Sequence, residues 1–151
     1  MISHKAQLML PLAAAVALLG QFAISADAAD GPTIIQPDAI QWAAAEGLPP
    51  GAKIAVLQGD LSKAGPYTVR VDFPAGYEVP THSHPTGETL TVISGSIRMA
   101  FGEKAGAGDA QSLVPGSFMI LPGDAFHHIW ADAETVVEIH QIGPFGLDLA
   151  K

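Results

Sequence analysis

The chain contains no cysteine. That excludes a disulfide framework, a thiolate metal site, an iron–sulfur cluster, a cysteine nucleophile and lipoprotein acylation. Any metal would have to be held by imidazole and carboxylate groups. Basic residues are also scarce: 7 Lys+Arg stand against 15 Asp+Glu, for a formal charge of −8. Little is available to neutralise phosphates, which argues against a nucleic-acid partner and against stable adhesion to anionic membranes. Aromatic residues make up only 7% of the chain, whereas glycine (16) and proline (12) are frequent. Such a balance suits many short strands joined by turns. At 151 residues the chain is long enough for one domain with a real core.

The one long apolar stretch lies at the N-terminus. "MISHK" supplies a short basic region, "LMLPLAAAVALLG" an apolar run, and Ala26-Asp27-Ala28 a small-residue cleavage motif. The run is about 13 residues, against the roughly 20 needed to span a bilayer, and Pro11 and Gln21 interrupt it. Residues 1–28 are therefore expected to be a signal peptide, with a single domain at 29–151 working in the periplasm or as a secreted protein. After the leader, "DAIQWAAAEG" fits one helical turn or an edge strand, a short irregular segment expected to pack Trp42 against the body of the fold.

From Lys53 the period is that of β structure. "GPYTVRVDF" alternates Tyr67, Val69, Val71 and Phe73 on one face with Thr68, Arg70 and Asp72 on the other. "GETLTVISGSIRMAFGE" gives two strands broken at Gly95, "GSFMILPGDAFHHIW" two around a Pro-Gly-Asp turn, and "TVVEIHQI" a last one before a "GPFG" tail. "KAGAGDAQSL" is expected to be a glycine-rich loop. The pattern predicts an all-β barrel or sandwich.

Within it, "GYEVPTHSHPTGETLTVISG" concentrates the chemistry. In an extended segment His82 and His84 share a face about 7 Å apart, near enough for both imidazoles to reach one divalent ion. Pro85-Thr86-Gly87 turns the chain, and Glu88 opens the apolar stretch "TLTVIS", where an unpaired charge is costly to bury. A further ligand must come from another strand. The same residues also suit a metal-free fold in which the histidines are simply hydrogen-bonded.

These residues resemble the cupin superfamily, whose first motif, G-x5-H-x-H-x3,4-E-x6-G, is met at Gly76, His82, His84, Glu88 and Gly95. The second, G-x5-P-x-G-x2-H-x3-N, is met at Gly116, Pro122 and His127, with Asp124 in place of glycine and Ala131 in place of asparagine. The resemblance covers about residues 53–142. It implies a cupin-type β-barrel (a double-stranded β-helix or jelly roll) in which His82, His84, Glu88 and His127 converge on one divalent metal ion: Fe, Mn, Ni, Cu or Zn. Many cupins dimerise, so a homodimer is an option.

The resemblance implies a metal-dependent, oxygenase-like enzyme acting on a small organic molecule, with Glu88 both ligating and shuttling a proton. A non-catalytic module that captures a small ligand or the metal itself is the alternative. Tyr67, Phe118, Trp130 and His140 are candidate pocket residues, with Phe73 and Phe126 behind them, although aromatics in strands are usually core. His128 should face away from His127. Arg70 and Arg98 should pair with acids on the outer face, Ser83 should point away from the metal, and Asp124 should sit in a solvent-facing turn.

Overall fold

The computed structural model describes residues 31–151; the expected signal peptide lies outside the described residues. Eleven strands follow in order: β1 (Ala43–Ala44), β2 (Lys53–Gln58), β3 (Gly65–Phe73), β4 (Tyr77–Ser83), β5 (Glu88–Ser94), β6 (Ile97–Phe101), β7 (Gln111–Leu113), β8 (Phe118–Leu121), β9 (His127–Ala131), β10 (Thr135–Gly143) and β11 (Asp148–Leu149). Two 3-10 turns, Pro37–Ala39 and Ala107–Asp109, complete the described elements. The segment before β2 thus contains both a helical turn and an edge strand. It buries Ala45, while Trp42 remains 37% exposed.

The strands form two antiparallel sheets, one in the order β1-β2-β3-β10-β5-β8 and the other β11-β4-β9-β6-β7. The expected all-β jelly roll is present as a sandwich of these two sheets, and among the described residues no ladder joins them into a closed barrel. Their outermost strands are short (two residues in β1 and β11, three in β7, four in β8). The loop expected at 104–113 also changes, since its last three residues become β7, paired with β6 from Ile97↔Leu113 to Met99↔Gln111. The tail after Gly143 ends in β11, paired with β4 at Ser83 and His82.

Alternation sends one side of each sheet inward. Val69, Val71, Phe73, Leu90, Val92 and Val137 from the larger sheet meet Val79, Ile97, Met99 and Ile129 from the smaller. Fully burying each such side chain contributes about 1.5–3 kcal/mol, so this layer is the principal source of stability. On the outer faces Arg70 pairs with Glu138 at 2.9 Å, and Arg98 makes a two-pronged contact with Asp132 at 2.7 and 2.8 Å.

Candidate metal centre

Three strands and one turn deliver the site. On β4, Tyr77 and Val79 point inward, and simple alternation would then send His82 and His84 outward. The pairing with β9 prevents this. Val79 lies opposite Ile129 and His82 opposite His127, so three steps along β4 match two along β9. The extra residue is a β-bulge at Pro80-Thr81 that restores the inward direction for His82. Proline suits this position because it cannot donate a ladder hydrogen bond. His84 follows just past the strand end. Its carbonyl accepts the backbone N–H of Asp124 at 2.7 Å, which ties the two turns together. Asp124 adopts a left-handed φ of +62°, a conformation that Asp tolerates better than most residues and that explains why the motif has glycine there. Glu88 opens β5 on the facing sheet, between Gln141 of β10 and Leu121 of β8.

His82, His84 and His127 are all buried, and one nitrogen from each lies within 4.8 Å of the other two. Glu88, 4% exposed, falls outside that tight trio but places carboxylate oxygens 3.6 Å from Nε2 of both His84 and His127. The opposite ring nitrogens are all engaged. His82 Nδ1 donates to the Pro80 carbonyl at 2.7 Å, His84 Nδ1 to the Gly146 carbonyl at 2.7 Å and His127 Nδ1 to the Ala125 carbonyl at 3.1 Å. A carbonyl can only accept, so each Nδ1 carries the proton and each Nε2 turns a lone pair into the site.

The electrostatics follow from burial. Loss of solvent pushes His82 down to about 3, helped by His127, and His127 down to about 4. The same desolvation raises Glu88, opposed by His84. Glu88 Oε1 and His127 Nε2 have no hydrogen-bond partner. Nitrogen and carboxylate lone pairs converging without protons between them fit a first-row divalent ion. The residues present therefore suit the metal that the motif implies.

The site opens into a cavity of about 60 Å³ between the sheets. Its walls are largely apolar, with Val69, Val71, Phe73, Ile129 and Ile139 from the strands and Phe145 from the tail. Tyr67 is the one candidate pocket residue of the four that lies there. Its hydroxyl donates to Gln141 Oε1, and Gln141 Nε2 donates to the Thr86 carbonyl at 3.1 Å. Burial, then the charge of Glu88, pushes the Tyr67 hydroxyl up, so it stays protonated.

The other three lie outside this cavity. The His140 side chain is 49% exposed on the outer face of β10, 2.8 Å from Thr68 Oγ1 and 3.4 Å from Glu138. Phe118 is 60% exposed on the outer face of β8. Trp130 is half-buried outside the second sheet, stacked on His128 at 3.8 Å, with the Arg98 guanidinium 5.4 Å from its ring. The pairing with β3 fixes the first of these. His140 lies opposite outward Thr68, and Gln141 opposite inward Tyr67. Ser83 is buried but pairs with Asp148 beneath β11. Sequence reasoning missed Gln141, the tail residues Phe145 and Gly146, and Glu46 at the cavity's exposed edge. For Gln141 a signal existed, since it shares strand parity with Val137 and Ile139.

Comparison with known proteins places this geometry in context. Residues 30–146 match the ChrR cupin-like domain family. A germin-like protein of Arabidopsis thaliana (subfamily 3 member 1) is 37% identical over 68 residues, covering 44% of this chain and 33% of that protein. This chain thus spans about a third of the length of that relative. Among solved structures, the polyketide cyclase RemF from Streptomyces resistomycificus superposes with a TM-score of 0.67 at 11% identity, over 80% of this chain and 87% of that one. A putative acetylacetone dioxygenase from Methylibium petroleiphilum gives 0.62 at 17% identity, over 83% and 85% respectively.

Proposed function

Starting from a chain that belongs to the ChrR cupin-like domain family, we propose that it is a metal-dependent, oxygenase-like enzyme for a small organic molecule. His82, His84, His127 and Glu88 would hold one divalent ion. The observation that carries this reading is the pair of buried, unpartnered lone-pair groups, Glu88 Oε1 and His127 Nε2. Left without a cation, each costs about 1–3 kcal/mol of desolvation with nothing in return. When bound, a divalent ion supplies Lewis acidity and, if redox-active, electrons for chemistry with dioxygen.

The chain's own residues do the rest. The three Nδ1–H···O=C contacts hold the imidazoles in the ligating tautomer. The apolar walls exclude bulk water. The Tyr67–Gln141 pair presents a neutral polar edge to whatever enters. Glu88 can accept a proton from a bound molecule at its carboxylate, because burial raises its proton affinity. The structural similarity to a putative acetylacetone dioxygenase supports small oxygen-bearing carbon compounds as the first substrates to try. Work outside the cytoplasm is part of this reading, resting on the signal peptide expected at residues 1–28.

A non-catalytic binding module is the second reading, since the small, largely apolar cavity of about 60 Å³ suits capture of a small ligand as well as its conversion. The deciding experiment is metal analysis of the purified chain, followed by oxygen-consumption assays with small enols, thiols and acids. Stoichiometric redox metal with turnover supports the enzyme. Stoichiometric metal without turnover across the panel supports the binding module.

A further inference from the structure

We propose that the cavity selects ligands carrying at most one negative charge, such as an enol, phenol or thiol that loses a single proton on binding, and discriminates against dicarboxylates. The inference rests on the metal-dependent reading of the site and deepens it to a substrate class.

Charge sets the limit. Three neutral imidazoles and the Glu88 carboxylate leave a divalent ion with one net positive charge, enough to neutralise one anionic oxygen. A second negative charge would have to lie against the cavity wall. Among the described residues that wall is apolar except at a few points, and its charged members outside the imidazole cluster are the carboxylates of Glu88 and Glu46. Glu46 is exposed at the cavity's edge, where it repels an anion on approach.

The neutral polar edge offers little to an anion. Tyr67 spends its hydroxyl proton on Gln141 Oε1, and Gln141 spends one amide proton on the Thr86 carbonyl. One N–H of Gln141 remains uncommitted. That is adequate for a neutral carbonyl or hydroxyl oxygen and inadequate for a carboxylate, which needs several donors or a counter-charge once buried. The ligand that fits has one ionising oxygen or sulfur, an apolar body matching Val69, Phe73 and Ile129, and at most one further neutral oxygen.

Acetylacetone and malonate provide a matched pair. They share one heavy-atom skeleton and both chelate metals through oxygens in the same relative positions, but malonate carries charged oxygens where acetylacetone carries methyl groups. The experiment loads the full chain with Zn(II), which is redox-inert, and titrates each compound calorimetrically, with the free ion in buffer as reference. Relative to that reference, acetylacetone is expected to bind the protein at least about tenfold more tightly than malonate. Glu46→Lys should narrow the gap by strengthening malonate binding. Equal or tighter binding of malonate, or Zn(II) uptake with no acetylacetone binding, overturns this inference alone. No Zn(II) uptake overturns the metal-dependent reading as well, and the metal titration itself reveals which has failed.

Discussion

Glu88 Oε1 and His127 Nε2 face each other across 3.6 Å in the interior, and neither has a hydrogen-bond partner. The Ala125 carbonyl holds the His127 proton on Nδ1, so the confrontation is between two lone pairs. Two acceptors facing each other in a low-dielectric interior repel unless a cation lies between them. The arrangement therefore trades stability of the metal-free chain for affinity toward an ion.

Glu88→Gln separates the two effects. A glutamine amide can donate to His127 Nε2, which removes both the buried carboxylate and the unpaired acceptor. The metal-free variant should be about 1–3 kcal/mol more stable than the metal-free parent and should bind metal far more weakly. Denaturant unfolding and metal titration on the same preparations check the pair of opposite signs. A destabilised metal-free variant would contradict the account.

The same variant exposes the histidine contribution to pH dependence. His82 and His127, at about 3 and 4 in the folded chain, stay neutral while unfolded imidazoles take up protons near 6.5. Their contribution to stability is full above 6.5 and is lost as the pH falls from there toward about 4. Glu88 works in the opposite sense. Its raised value favours folding below its ordinary 4.5, and that contribution is lost as pH rises. In metal-free Glu88→Gln the carboxylate term is gone, so its Tm should fall as pH drops below 6.5. A flat profile between about 7 and 4.5 would mean that these imidazoles are not held neutral.

The C-terminal tail should support metal binding without supplying a ligand. Gly146 accepts the His84 Nδ1 proton, the Phe145 ring lies 5.8 Å from the His84 ring, and β11 pairs with β4 at His82. Loss of such an outer support typically weakens metal affinity by about 10–100-fold. Truncation after Gly143 should fall in that range, and Phe145→Ala should cause a smaller loss. Competition titration against a chelator measures both, and unchanged affinity in the truncated chain would show the contact to be incidental.

Gly95 tests the fold apart from the site. Its φ is +70°, and an added Cβ would stand 2.3 Å from the Glu134 carbonyl and 2.5 Å from Thr135 Oγ1. Gly95→Ala should cost more than the roughly 1–2 kcal/mol of a left-handed residue, because backbone must also move. Thermal unfolding checks this, and a neutral result would mean that this turn relaxes freely.

The inward face of β3 could be read from local alternation, and the four converging polar residues from the resemblance to the cupin motifs. What could not be read was strand partnership. His140 faces out because β10 pairs with β3 in a register that sets it opposite Thr68, a relation between residues far apart in the chain. Phe118 faces out because it lies opposite Thr91 of β5. Trp130 is a different case: it shares parity with His128, already expected to face away, so its outward position followed from alternation and was misread. The bulge at Pro80-Thr81 shows the converse. Strict alternation from Val79 would have turned His82 out, and only the two-against-three pairing with β9 turns it in. The tail's role was hidden because a backbone carbonyl, here that of Gly146, leaves no side-chain signature.

The most direct measurement is the stoichiometry and affinity of divalent metal binding to the parent chain, His82→Ala, His127→Ala and Glu88→Gln, with folding of each checked in parallel. The account predicts close to one ion per parent chain and, in each folded variant, a loss exceeding the roughly 10–100-fold of an outer support. Parent protein that takes up no metal, or variants that retain parental affinity, would contradict it.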